Sequence, residues 1–342
     1  MTHKGRVGRG TLVAMVVVLA MVVSGCALNA NELPGRMPAP VVAGNKTLYF
    51  GPQVKQRALR MISASRKFCH LSIYELGDED VLKALIAARR RGVDVEVVVD
   101  ATEEQSQTVA VPTLQKGGVK VRSLHVPGGI SHIKLLVVDT NSGLEALMGG
   151  MNFGRESMHN HDASVYFTHA TGAFESVFER DYGAAGGALD VAPAYPSPLV
   201  VDRHIEPAML GAIAQAHKDI EIEAFALTSK PFIEALLAAK ARGVKVQVVL
   251  DPSSSYQKKT EWELSDAGID ARFYRPLQNE LLHAKIISID DGAVFFIGSS
   301  NFSRQAFEIN HEGDVELTNV APFGQCIDDD VRYLLSESGA IT

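Results

Sequence analysis

The residues best suited to chemistry come in two matching sets. His132-Ile-Lys134 is followed by Asp139 and His283-Ala-Lys285 by Asp290, so H-x-K-x4-D occurs twice, 151 residues apart. Beyond each lies a glycine-containing turn that ends in asparagine: Gly149-Gly-Met-Asn152 in the first copy and Gly298-Ser-Ser-Asn301 in the second. Further on, Asn160-His-Asp162 answers Asn310-His-Glu312. Two imidazoles, two ammoniums and two amides around one cavity form a cationic, donor-rich site fitted to an anion. Lys134, Lys285, Asn152 and Asn301 can hold the non-bridging oxygens of a phosphodiester as charge develops on them. One neutral imidazole can attack phosphorus, and the other, protonated, can protonate the leaving oxygen. Lysines lower and carboxylates raise an imidazole pKa, so His132 and His283 must be tuned apart as a pair. The lysines supply the charge that a divalent metal supplies elsewhere, so neither metal nor cofactor is expected.

Positioning these groups requires strands. His132 opens an apolar run, and residues i and i+2 of a strand share a face, so His132 and Lys134 point one way and Ile133 into a core. His283, Ala284 and Lys285 repeat the pattern. In Asn160-His-Asp162 the same alternation turns His161 away from its neighbours, so His161 and His311 read as structural. His70, His125, His159, His169, His204 and His217 lack ligand spacing and read as surface or core residues. Trp262, Lys258 and Lys259 read as a solvated loop ahead of a contact with a head group or membrane surface, and Gly128-Gly-Ile130 and Leu281-Leu282, next to the motifs, equally as loop packing or as a seat for an acyl-glycerol portion.

The duplication extends beyond the motifs. Val81–Asp100 (VLKALIAARRRGVDVEVVVD) and Phe232–Asp251 (FIEALLAAKARGVKVQVVLD) agree at eleven of twenty positions at the same 151-residue offset. Leu82, Leu85 and Ile86, repeated as Ile233, Leu236 and Leu237, mark the buried face of a helix. Gly92 and Gly243 stand where a helix ends, before a buried strand. Strands at Leu71–Tyr74 and Ile220–Phe225 precede those helices, which suggests βαβ units and a largely parallel sheet in each half. The glycines and prolines of residues 184–198 mark a linker. Residues 46–190 and 191–342 are therefore expected to be two similar domains.

The 342 residues carry 33 Lys and Arg against 40 Asp and Glu, a formal charge of −7. That balance argues against a protein held on nucleic acid by net charge. Three cysteines are too few for a disulfide scaffold or a Cys-based zinc site. Lys4, Arg6 and Arg9 precede the apolar run Thr11–Val23, the order of a secretory signal. The run ends in Val23-Ser-Gly-Cys26, which resembles the lipobox of bacterial lipoproteins. That resemblance implies cleavage after residue 25, lipidation of Cys26, and anchoring at the cell envelope. In a Gram-negative host Ala27 after the cysteine implies the outer membrane. Residues 1–26 are thus a signal segment and 27–45, with three prolines, a tether. Losing the three basic residues takes the charge to −10. Outside the cytoplasm Cys69 and Cys326 would meet oxidising conditions, and both a pair and two buried thiols are compatible with the sequence.

The duplicated H-x-K-x4-D makes the chain resemble the phospholipase D superfamily from about residue 46 to 335. The resemblance implies two pseudo-twofold-related α/β sandwich domains, each with a mixed, mostly parallel sheet flanked by helices, and an active site at their interface. It implies a phosphohistidine intermediate, with His132 as nucleophile and His283 as acid and base. Lys134, Lys285, Asn152 and Asn301 match the family's phosphate ligands, and Asp162 and Glu312 the acids that hydrogen-bond the imidazoles. Asp139 and Asp290 complete the catalytic motifs and are expected to brace the fold. Ser299 and Ser300 are expected at the phosphate in the second half only, since Gly150 and Met151 replace them in the first. The leading expectation is a monomeric active unit that hydrolyses glycerophospholipids to phosphatidic acid at a membrane. A phosphatidyltransferase similar to cardiolipin synthase is one alternative. An endonuclease is another, disfavoured by the acidic charge. A tyrosyl-DNA phosphodiesterase is disfavoured because both motifs keep their aspartates, and an inactive lipid-binding lipoprotein because His, Lys and Asn all recur.

Overall fold

The computed structural model describes residues 37–187, 189–275 and 280–338. Cys26, the signal segment and much of the tether lie outside the described residues. The first half runs β1 (Val41–Ala43), β2 (Lys46–Phe50), α1 (Pro52–Ala64), β3 (Phe68–Ile73), α2 (Glu79–Arg90), β4 (Asp94–Asp100), α3 (Val111–Lys116), β5 (Lys120–Leu124), β6 (Lys134–Thr140), β7 (Gly143–Gly149), β8 (Ala163–Phe167) and α4 (Gly172–Ala184). The second runs β9 (Leu199–Val201), α5 (Ile205–Gln215), β10 (Asp219–Ala224), α6 (Lys230–Ala241), β11 (Lys245–Leu250), α7 (Gln257–Asp266), β12 (Asp270–Phe273), β13 (Lys285–Ile289), β14 (Val294–Gly298), α8 (Arg304–Glu308), β15 (Gly313–Thr318) and α9 (Ala321–Glu337).

The first sheet has the order β1-β2-β8-β7-β6-β3-β4-β5, and the second β12-β11-β10-β13-β14-β15-β9. Read from β2 and from β9, the two orders coincide, so the duplication in sequence is a duplication in topology. Each sheet is mixed, but the parallel part is the smaller one. Only β3-β4-β5 and β10-β11-β12 run parallel, and the remaining pairs are antiparallel. The expectation of mostly parallel sheets took the helix-linked strands as typical. Yet β6 and β7 are joined by two residues, too few for a crossover, and a hairpin must be antiparallel.

Local signals shape the repeated βαβ unit. The Asp78 carboxylate caps α2 by accepting from the amides of Asp80 and Val81, and the Ser229 hydroxyl caps α6. Gly92 and Gly243 end these helices with φ of 91° and 94°, a backbone region closed to most side chains. Arg91 and Arg242, equivalent in the repeat, each donate to a carbonyl in the last turn of the preceding helix, at Ile62 and Ile213.

The alternation of each central strand decides how the halves meet. Leu135 and Val137 of β6 face Ile286 of β13 and Phe295 and Ile297 of β14 in one shared core. Leu136 and Val138, on the other face, pack under α1 and α2, while Ile287 and Ile289 pack under α5 and α6. A fully buried Val, Leu, Ile or Phe contributes about 1.5–3 kcal/mol. A hydrogen bond contributes about 1 kcal/mol net. The apolar seam therefore holds the halves together, and the polar site at its edge is positioned by it. Cys69 is a buried free thiol, pushed up to about 12 by burial, so it does not pair with Cys326. Trp262 stands on α7, a helix where a loop was expected, and is 72% exposed.

Candidate active site

Lys134 and Lys285 are the first residues of β6 and β13, and both are buried. The histidines precede the strands instead of lying in them. The amide of His132 donates to the His311 carbonyl at 2.8 Å and that of His283 to the His161 carbonyl at 2.8 Å. In return, the His311 amide donates to Ile130 and the His161 amide to Leu281. Each motif thus begins in a backbone bridge to the other half, which takes the place of the sheet ladder.

The side chains cross over in the same way. His132 Nδ1 lies 2.9 and 3.1 Å from the two carboxylate oxygens of Glu312, and His283 Nδ1 lies 2.5 Å from Asp162 Oδ2. The carboxylate of each half therefore serves the imidazole of the other. A carboxylate accepts only, so in the neutral ring Nδ1 carries the proton and Nε2 keeps its lone pair for chemistry. The Glu312 carboxylate is further held by the Ser299 hydroxyl and by Asn310 Nδ2 at 3.0 Å.

Both lysine ammoniums donate back to the carbonyl of their own motif histidine. Lys134 also lies 5.4 Å from the ring centre of Tyr74, and Lys285 lies 5.0 Å from that of Phe225. These rings flank the imidazoles too, at 5.1 Å for Tyr74 and His132 and 4.9 Å for Phe225 and His283. Burial is the main force on the titration of the four groups. It lowers His132 against the pull of Glu312 and takes His283 to about 4, with help from Lys285. Burial also brings Lys134 down to about 7 and Lys285 to about 8, although Glu312 and Asp162 work the other way. Glu312 is itself held below the usual range: burial raises it, but His132, Lys134 and Ser299 outweigh burial. The cluster is an imidazole and ammonium set whose charge a bound phosphodiester would stabilise.

Asn152 and Asn301 end the turns after β7 and β14, and each has a buried Oδ1 without a protein partner. An amide turned over presents Nδ2 to the same space, the donor that a phosphate oxygen accepts from. The two serines of the second half differ from each other. Ser299 donates to Glu312 and accepts from the amide of Gly313, so its hydroxyl steadies the carboxylate. Ser300 is buried with an unpartnered hydroxyl, and its amide donates to Asp314. The motif aspartates stand apart from the imidazoles as braces. Asp139 accepts from the amides of Lys67 and Phe68, and Asp290 from those of His217, Lys218 and Asp219. Each sits at the far end of its strand or just beyond, so its carboxylate pins the start of the neighbouring strand.

Other residues that build the site went unassigned in the sequence. Asp100 and Asp251, the last residues of the repeated segment, accept from the amides of Ser131 and Leu282, each just before a motif histidine. Their identity at the repeat offset was the signal. His161 and His311 are fully buried on the far side, as the strand alternation implied. His311 lies between Asp181 of α4 and Asp202, at 2.9 and 2.8 Å, and these carboxylates raise it to about 10 in spite of burial. His161 Nε2 lies 3.1 Å from Asp330 of α9 and 3.4 Å from Glu223. These three donors lie within 4.8 Å of one another, a set that could also hold a cation.

Two α/β halves closing over a doubled His-Lys site define a phosphodiester-acting enzyme of the phospholipase D superfamily. A match to the family described as "Cardiolipin synthase, PLD-like domain" covers residues 58–182 and 209–329, and the chain belongs to that family. It is 23% identical to the minor cardiolipin synthase ClsB of Bacillus subtilis over 91% of this chain and 87% of that protein. It is 35% identical to cardiolipin synthase B of Escherichia coli K12, over 29% of this chain and 27% of that one. The fold is shared with the phosphatidylserine synthase of Haemophilus influenzae Rd KW20, at a TM-score of 0.66 and 13% identity over 90% of both chains.

Proposed function

We propose that this protein is a phosphatidyltransferase of the cardiolipin synthase type. It moves a phosphatidyl group from one phospholipid to an alcohol of a second through a phosphohistidine. The crossed His132–Glu312 and His283–Asp162 pairs carry this reading, because they leave two Nε2 atoms, one for attack and one for the proton, beside two buried ammoniums. One imidazole attacks phosphorus, and the lysines and asparagines hold the non-bridging oxygens as the transition state forms. The other imidazole gives its proton to the leaving oxygen and then accepts the proton of the incoming alcohol. Positive charge comes from the ammoniums, so each step is written without a metal.

Water in the place of the alcohol gives the phospholipase D reaction, which is the second reading. The match to cardiolipin synthases along most of the chain favours transfer. The same reading includes a phospholipid substrate, one active centre per chain, and a membrane location through lipidated Cys26 at the cell envelope, on the outer membrane in a Gram-negative host. No helix among the described residues is long and apolar enough to cross a membrane. An acidic chain is a poor fit to a nuclease. The test is to incubate the purified full chain with phosphatidylglycerol in mixed micelles and separate the products. Transfer yields cardiolipin and glycerol; phosphatidic acid as the sole lipid product returns the reading to hydrolysis.

A further inference from the structure

Where the two halves match, they cannot tell one end of a phosphodiester from the other; where they differ beside the reacting groups, they can. One such difference lies at the end of β3 and β10. Tyr74 and Phe225 hold equivalent places, one ring against each imidazole and each ammonium. The next residues are Glu75 and Ala226, and each accepts, through its backbone carbonyl, the amide of the phenylalanine after the site asparagine, Phe153 at 3.1 Å and Phe302 at 2.9 Å. The backbones are therefore the same and the side chains are not. The His132 wall carries a phenol and a carboxylate, while the His283 wall carries a phenyl ring and a methyl group.

The carboxylate has been given room. A Cβ on Gly154 would lie 2.0 Å from Glu75 Oε1, so no side chain fits at that position while Glu75 keeps its place. The second half has Ser303 there, opposite Ala226. Glu75 is half-buried, accepts from the Ser157 hydroxyl at 3.3 Å, and lies within electrostatic reach of Lys134. Burial, and the carboxylates of Asp100, Glu103 and Glu75, keep the Tyr74 phenol protonated, so it is a donor.

We infer that Tyr74 and Glu75 form the subsite for a polyol, the alcohol that leaves the donor phospholipid and the alcohol that replaces it, which makes His132 the acid and base and His283 the nucleophile. The inference rests on the transfer reading. A phosphatidyl donor with a glycerol head group has one hydroxyl-rich ester and one acyl-bearing ester. A carboxylate and a phenol bind free hydroxyls; a phenyl ring and a methyl group do not. In-line displacement puts the attacking nitrogen and the leaving oxygen on opposite sides of phosphorus. A polyol against the Tyr74 wall has its reacting oxygen beside His132, and attack then comes from His283. The P–N bond to His283 Nε2 forms as the P–O bond to the polyol breaks, and His132 gives its proton to that oxygen. In the return step the incoming hydroxyl gives its proton to His132, its oxygen bonds phosphorus, and the P–N electron pair goes back to His283. The depression of His283 to about 4 suits a neutral nucleophile. This assignment reverses the one that the superfamily resemblance implies.

The test uses the full chain in mixed micelles with phosphatidylglycerol as donor. It measures entry of labelled glycerol into phosphatidylglycerol and of ethanol into phosphatidylethanol. Glu75→Ala, which installs the residue of the second half, is expected to cut the glycerol-to-ethanol ratio of kcat/KM by about tenfold to a hundredfold, the range for losing a hydrogen bond to a charged group. Glu75→Gln and Tyr74→Phe are expected to move it the same way by less. An unchanged ratio in all three variants overturns the subsite. Base-quenched protein labelled from phosphatidylglycerol is expected to carry the group on His283, and none of it in His283→Asn; label on His132 overturns the assignment of roles. A wild-type chain that transfers to neither alcohol overturns the transfer reading itself, a failure distinct from both.

Discussion

His132 and Glu312 are 180 residues apart in sequence and 2.9 Å apart in space, and they belong to different halves of the duplication. His283 and Asp162 repeat the relationship in reverse. Neither half therefore contains a complete catalytic group, and the apolar seam between the sheets is a condition of activity. His132→Asn and His283→Asn should each lower transfer by at least about a thousandfold, since each removes either the covalent or the acid–base step. Circular dichroism and thermal melts should stay close to wild type; a variant that keeps a tenth of its activity contradicts the two-histidine mechanism.

The crossed pairing should be visible as energetic coupling. Glu312→Gln is expected to lower kcat by about tenfold to a hundredfold, because the ring loses its orientation and the imidazolium its partner. Combined with His132→Asn it should cost nothing further. Combined with His283→Ala at the other end of the site, the same holds only if all four groups act as one unit. A double-mutant cycle with Asp162→Asn separates the two cases. Full additivity between His132 and Glu312 contradicts the pairing.

The pH profile follows from the signs of the shifts. The nucleophilic imidazole must be neutral, and both imidazoles are depressed, His283 to about 4, so the acid limb of kcat/KM falls under pH 6.5. Lys134 and Lys285 are depressed to about 7 and about 8, so the ammoniums lose their protons as pH rises through that window and phosphate binding weakens. The acid imidazole must carry a proton and is depressed as well, so the alkaline limb of kcat/KM should open below about pH 6.5 and steepen between about pH 7 and 8 as the lysines discharge. A bound phosphodiester favours the ammonium, so the limb of kcat should lie higher. Lys134→Arg, which stays charged, should flatten the part of the fall between about pH 7 and 8 whatever it does to the rate.

The buried imidazole of His311 makes a separate prediction about stability. Its folded pKa, about 10, lies above the unfolded value, so the stability it contributes is whole below about pH 6.5 and is lost as pH rises towards 10. Thermal melts of the wild-type chain should fall across that interval. His311→Gln should be less stable at pH 6 and should lose less on the way to pH 9.5. Equal slopes for the two proteins would show that the imidazolium between Asp181 and Asp202 does not hold the halves in place.

Asp139 and Asp290 belong to the motif but act on the frame. Asp290→Ala removes an acceptor from three amides at the entry to β10, and a loss of about 1–2 kcal/mol is expected. KM and kcat measured well below the melting temperature should change by less than about threefold. A large change in kcat without a change in melting temperature would return the aspartate to the site.

The duplication and the residues that gather at the seam were legible because their local spacing recurs at an offset of 149 to 151 residues. Four features were not. The antiparallel share of each sheet depends on the length of the β6–β7 turn, whereas the eye is drawn to the stronger helix-and-strand repeat. The crossing of Glu312 to His132 depends on how the halves face each other, and no spacing within one half records it. Ser299 looked like a phosphate ligand because it precedes Asn301; its hydroxyl is taken by Glu312. Tyr74 and Glu75 carry no motif, and only comparison with Phe225 and Ala226 in place shows that they differ.

The central claim is that two half-sites make one phosphatidyl-transferring centre. Its most direct test is the product balance of the purified chain acting on phosphatidylglycerol. One cardiolipin is expected for each glycerol released, with the loss of both products in His132→Asn and in His283→Asn. Phosphatidic acid matching the glycerol released, with no cardiolipin at any lipid concentration, contradicts it.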